Sequence, residues 1–240
     1  MFSGQSILAI VPARGGSKGV PHKNIHPLAG KPLIAHTAVL IRAAGYMDRA
    51  VVSTDDEQIA TVAEEWGLAA PFRRPQGLSG DRIGDAPVLE HALTTMEQLD
   101  QRQYDVVVML QPTCPLRRVE HVTAALQELR RGAWDSVWTV SPVDLKYHPL
   151  KQLAIEPDGR LDLFDQRGTS IVARQQLGAT YYRNGAAYAL TRSCVLDQQT
   201  TKGARCGAVA LQEPLVSIDT LDDFALVERV WASRASAGDV

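Results

Sequence analysis

Apolar residues fall into two rhythms that take turns along the chain. Short, almost unbroken apolar runs at residues 6–11, 49–53, 104–110 and 136–140 have the length and β-branched content of strands buried on both faces. Between them the apolar positions recur at helical spacing. One such helix begins near Lys31 with Pro32 at its first position, and another covers residues 57–66, where Asp55 or Asp56 can cap it. A third covers 87–99, with Val88, Leu89, Ala92, Leu93, Met96 and Leu99 on one face, and a fourth covers 119–131. Residues 69–72 add a short strand. Strand and helix alternating in this way predict an α/β fold with a mainly parallel central sheet flanked by helices, and ligands at the carboxyl ends of the strands.

The alternation stops between residues 141 and 183. That segment carries prolines, a hairpin signal at Glu156-Pro-Asp-Gly159 and a polar stretch around Arg174. So long a structureless loop is unusual inside a compact domain, so the segment is expected to form an inserted arm, of the kind that packs on a second subunit. The sheet should resume at 184–190, and 215–220 should form a last strand leading into a helix at 221–231 capped by Asp219 or Thr220. The expected organisation is one domain over residues 1–240, with the arm at about 141–183.

Composition narrows the class. With 45% apolar and 22% charged residues, 240 residues can bury a full core. No run approaches the ~18 apolar residues of a membrane span, and no basic-then-apolar leader opens the chain. The three cysteines, Cys114, Cys194 and Cys206, form no C-x-x-C pair, which suits a reducing compartment. A soluble, cytoplasmic protein with no membrane or nucleic-acid partner is expected; the four tryptophans show no interleaving with basic residues.

Charge adds the chemistry. The net charge is −2, yet the first of the 27 acidic residues is Asp48, where an even spread would already have placed about five. That acid-free stretch contains Arg14-Gly15-Gly16-Ser17-Lys18-Gly-Val-Pro-His-Lys23-Asn24, directly after the first strand and before the first helix. Strand, glycine loop and helix in this order make a phosphate site: glycines expose backbone N–H groups and the cations bind oxygens. The adjacent glycines exclude G-x-G-x-x-G, and no P-loop spacing is present. Gln111-Pro-Thr113 follows the central strand, so it should reach the same sheet edge.

Together these motifs resemble a known family. Pro-Ala-Arg14-Gly-Gly-Ser-Lys18-Gly, Lys23-Asn24, Gly30-Lys-Pro-Leu, Ser53-Thr-Asp-Asp56, Leu110-Gln-Pro-Thr-Cys-Pro-Leu-Arg117, Arg183-Asn-Gly-Ala and Ile218-Asp-Thr220 are similar to the acylneuraminate cytidylyltransferases, or CMP-sialic acid synthetases, which include the legionaminic and pseudaminic acid enzymes. The likeness runs from about residue 7 to 228. It implies a Rossmann-like nucleotidyltransferase that uses Mg²⁺ to transfer CMP from CTP to the anomeric hydroxyl of a 2-keto sugar acid. It also implies a homodimer whose arm reaches the neighbouring site.

The resemblance further assigns Arg14 and Lys23 to the triphosphate, and Asn24 and Arg74 to the nucleotide. Gln111 and Thr113 fall to the sugar acid, and Lys151 and Arg174 in the arm to the sugar and the subunit boundary. Asp219 is the metal ligand it implies, and Arg14, Lys23 and Asp219 form the catalytic group. Where the family pattern is Asp-Ile-Asp, this chain has Ser217-Ile-Asp219, so one carboxylate remains of a same-face pair. Either CTP, Asp219 and waters hold one metal, or Asp222 substitutes; the former is favoured. Two other functions fit the residues: transfer to 3-deoxy-manno-octulosonate, or nucleotide and sugar binding with weak catalysis.

Overall fold

A computed structural model describes residue 2 and residues 4–236. Its centre is a six-stranded sheet of β1 (Ile7–Pro12), β4 (Arg49–Ser53), β5 (Val106–Met109), β6 (Ser136–Pro142), β9 (Tyr181–Thr191) and β10 (Cys206–Ala210), in the order β10-β6-β9-β5-β1-β4. β1 pairs in parallel with β4 and β5, and β10 with β6. β9 runs antiparallel between β5 and β6. The sheet is therefore mainly parallel, with one reversed strand.

Period-two alternation explains why both faces need helices. Ile7 and Val11 of β1, with Val106 and Val108 of β5, pack beneath α1 (Leu33–Ala44), α2 (Glu57–Glu65) and α4 (Val119–Arg131). Leu8 and Ile10, with Val107 and Met109, meet α3 (Asp85–Asp100) and α5 (Arg192–Leu196) on the other face. Each fully buried aliphatic side chain contributes about 1.5–3 kcal/mol relative to exposure, so neither face could be left bare. A third cluster joins Val20, Leu28, Leu33, Leu116 and Ile218 to Phe224 and Val227 of α6 (Leu221–Ser236).

Local chemistry sets the helix ends. Asp56 caps α2 by accepting from Ile59 N at 3.0 Å, and Gly45 ends α1 with φ 65°. Pro32 sits one place earlier than expected, just ahead of α1, because residues 31–32 (β3) pair with residues 27–28 (β2). Leu99 also departs from its expected face and is 55% exposed near the end of α3.

Two further differences lie late in the chain. Residues 215–220 form no strand; Ile218 N donates to Thr113 O at 2.8 Å across to the loop after β5. The sixth strand is instead β10, whose Cys-Gly-Ala-Val-Ala lacks the β-branched density that marks a strand. Residues 69–72 contribute one bridge, Ala69 to Val51, in place of a strand. Between β6 and β9 lie short helical turns and a two-stranded sheet of β7 (Leu153–Ile155) and β8 (Leu161–Leu163), all outside the main sheet.

Candidate active site

β1 delivers the cationic loop and β5 the Gln111–Thr113 turn to adjacent positions, because the two strands are paired neighbours running the same way. Their ends border a cleft of about 730 Å³. Arg14, Lys18, Lys23 and Asn24 line one side, Gln111 and Thr113 another, and Ser217 and Asp219 a third. Ser17 and Arg74 also reach it.

Each cation is held differently. Arg14 Nη1 donates to Asp81 Oδ1 at 2.7 Å, and Lys18 Nζ to Asp81 Oδ2 at 2.5 Å. Lys23, with its side chain 15% exposed, donates to Asp219 Oδ1 at 2.8 Å and to Ile218 O at 3.0 Å. Asn24 Nδ2 donates to Arg14 O at 3.0 Å, which ties the loop to the turn Lys23–Ile25. Gly15 N is already taken, donating to Asp55 Oδ1 at 3.0 Å, and Gly16 is exposed and not among the residues that line the cleft. Asp55 thus grips the loop while Asp56 caps α2. A Cβ at Gly19 would lie 2.3 Å from Asp219 O, so only glycine lets the loop approach the Asp219 segment this closely.

The adjacent arginines at 73 and 74 part company. Arg73 forms a bidentate pair with Glu57, both bonds 2.7 Å, on the surface. Arg74 turns inward, donates to Ser53 O at 2.7 Å and is 6% exposed. Burial lowers its pKa, with Asp55 opposing and Arg14 adding to the drop. Asp85, at the start of α3, shares this wall; burial raises its pKa against the pull of Arg183 and Arg74.

Two devices fix the remaining walls. Arg117, 5% exposed, donates through Nε to Cys114 O at 2.9 Å and through Nη1 to Ala186 O at 3.0 Å, pinning the 111–117 loop on β9. Asn184 lies inside β9, where its Oδ1 accepts from Thr139 Oγ1 at 2.7 Å, beside a register shift opposite residues 138–140. On the other side, Asp223 Oδ2 accepts from Asp219 N, Thr220 N and Thr220 Oγ1 at 2.8–2.9 Å. Those bonds hold the backbone and leave the Asp219 carboxylate, 74% exposed, facing Lys23. Asp222 lies on the outer face of α6 with Glu228 and Arg229, and does not border the cleft.

Lys151 and Arg174 are brought together, but elsewhere. They line a second hollow of about 600 Å³ within the arm, with Lys146 and apolar residues such as Leu150 and Leu163. His148 is 4% exposed and accepts from Leu150 N, a local cap. Asp81 and Asp85 were not singled out from sequence; their chain neighbourhood shows nothing of the arginines and lysine they face.

A sequence profile of the family described as Cytidylyltransferase matches residues 8–202. The chain belongs to the cytidylyltransferase family. This cytidylyltransferase-family protein is 34% identical over 236 residues to the CMP-N,N'-diacetyllegionaminic acid synthase of Legionella pneumophila, covering 96% of this chain and 98% of that protein. It is 30% identical over 225 residues to the pseudaminic acid cytidylyltransferase of Campylobacter jejuni, covering 93% and 95%. Among solved structures, CMP:2-keto-3-deoxy-manno-octonic acid synthetase complexed with CTP superposes with a TM-score of 0.69 at 18% identity, covering 95% of this chain and 99% of that one. At that identity the match establishes the shared fold.

Proposed function

We propose that this protein transfers CMP from CTP to the anomeric hydroxyl of a nonulosonic acid of the sialic, legionaminic or pseudaminic type, releasing pyrophosphate. The observation that carries this reading is the meeting of Arg14, Lys18 and Lys23 with the Gln111–Thr113 turn and Asp219 around one cleft, in a member of the cytidylyltransferase family. The two relatives named above act on nonulosonic acids.

The hydroxyl oxygen attacks the α-phosphorus in line. A bond forms between them as the hydroxyl gives up its proton to water, the bond from the α-phosphorus to the oxygen it shares with the β-phosphate breaks, and that electron pair leaves with pyrophosphate. The barrier is chiefly repulsion between an anionic sugar acid and a polyanion, plus charge growing on the leaving group. Arg14 and Lys23 reduce both, with Lys18 alongside, because fixed cations in a cleft are already oriented when the charge develops. Arg74 and Asn24 serve the nucleotide, and Gln111 and Thr113 orient the sugar acid.

The donor set fits Mg²⁺ in one manner. Among the described residues no group of three His, Cys, Asp or Glu side chains could enclose a metal. Mg²⁺ needs only one or two carboxylates when substrate phosphates and waters complete its shell, and Asp219 can supply one. When bound, the ion neutralises phosphate charge and acidifies a coordinated hydroxyl. The working unit is proposed to be a cytoplasmic homodimer, supported by the apolar surface of the arm: Leu153 is 57%, Ile155 76% and Phe164 73% exposed.

Pyrophosphate release with CTP, Mg²⁺ and a panel of nonulosonic acids together with 3-deoxy-manno-octulosonate tests the reading. Turnover with at least one of the nonulosonic acids is expected. Release only with 3-deoxy-manno-octulosonate, or CTP binding without release, would replace it by the corresponding alternative.

A further inference from the structure

We propose that Asp81 is an exchangeable counter-ion of the phosphate site: it yields Arg14 and Lys18 to the incoming triphosphate and retakes them as pyrophosphate departs. This rests on the cleft being the CTP site. One carboxylate places an oxygen on each of the two cations, at 2.7 Å from Arg14 and 2.5 Å from Lys18. Two non-bridging phosphate oxygens would occupy the same donors in the same way. The pairing is strong enough to hold the Asp81 pKa below its ordinary value, with Lys18 the larger influence and Arg14 next.

Asp81 differs from the other carboxylates at the loop. Asp55 binds a backbone amide that belongs to the loop's shape, and Asp219 sits on a backbone held by Asp223. Asp81 stands on residues 80–84, all exposed, a stretch tied within itself by Ile83 N to Gly80 O at 3.2 Å. Moving it disturbs no packed element. Bound phosphate must therefore displace an anion, which lowers affinity for every ligand that uses Arg14 and Lys18 and leaves unchanged any ligand that uses only the base and ribose contacts. The same competition acts on the leaving pyrophosphate, so Asp81 favours release, a step that often limits turnover.

Calorimetric titration of CTP, pyrophosphate and cytidine into wild type, Asp81→Asn, Asp81→Ala, Arg14→Ala and the Arg14→Ala/Asp81→Asn pair tests this. Both Asp81 variants are expected to bind CTP and pyrophosphate about two- to thirtyfold more tightly, the range for loss of two exposed ion pairs. Cytidine affinity should not change, and the gain should shrink when Arg14 is absent. Unchanged or weaker CTP binding in both Asp81 variants, with wild type binding CTP normally, overturns the inference alone. A wild-type protein that binds neither CTP nor pyrophosphate overturns the CTP site itself and the inference with it.

Discussion

At the scale of single residues, the site is a matter of which atom faces which charge. Lys23 is the most enclosed of the three loop cations, and it bonds both the Asp219 carboxylate and the Ile218 carbonyl. Removing it takes away a proposed phosphate donor and a strut of the far wall together. Arg14→Ala and Lys23→Ala are each expected to lower turnover by about 100- to 1,000-fold, the usual cost of losing one preorganised donor to developing charge. Their circular dichroism should stay that of wild type; wild-type rates in both would remove the loop from the chemistry. Ser217 borders the same cleft as Asp219. Ser217→Asp would restore a second carboxylate two residues away, so the Mg²⁺ concentration for half-maximal rate should fall, and an identical titration curve would count against any metal at this wall.

At the scale of elements, His121 of α4 braces the segment that carries Asp219. Its Nδ1 accepts from Arg118 N at 3.2 Å, which leaves the proton on Nε2 to be donated to Glu213. Burial lowers the His121 pKa from 6.5, with Glu213 pulling the other way and Arg118 adding to the drop. The unfolded chain therefore binds the proton more readily. The stability linked to this group is present above pH 6.5 and is lost as pH falls through that value toward the folded pKa. His36 and His91 are shifted in the same direction, each chiefly by burial. His121→Gln should thus flatten part of the decline in melting temperature between about pH 7 and 5, leaving a remainder from the other two; a slope equal to wild type would assign the brace no role. Elements were legible where they bury a full face. β1, β4, β5 and the helices α1, α2, α3, α4 and α6 announce themselves through apolar rhythm, whereas β10 hides because a short edge strand of small residues carries little of it. In the site, Arg14 to Asn24 could be found from one contiguous motif. Asp81, Asp85, and the split between Arg73 and Arg74 depend on contacts across the fold, which local pattern does not encode. For the same reason the acid-free opening of the chain does not survive as a bare positive patch: Asp55, Asp81 and Asp219 come back to meet it.

At the scale of the whole molecule, the arm can meet a cleft only through the proposed dimer. In β7 and β8, Ile155 faces Leu161 and Leu153 faces Leu163, so these four share one side of a two-stranded sheet too small to be stable uncovered. Three of them are 57–76% exposed. Lys151 and Arg174 lie in this arm and not at the cleft of their own chain. If they bind the sugar acid from the arm of a second copy, two inactive variants can repair each other. Arg14→Ala lacks the proposed phosphate donor and keeps the arm; Lys151→Ala keeps that donor and lacks the arm cation. Random reassortment of equal amounts makes half the dimers mixed, and each mixed dimer holds one site with both residues intact, so about a quarter of wild-type turnover should return. Adding Ile155→Asp and Leu161→Asp to both variants should abolish the recovery and shift sedimentation from dimer to monomer. Recovery absent from a mixture shown to exchange subunits would confine each site to a single chain.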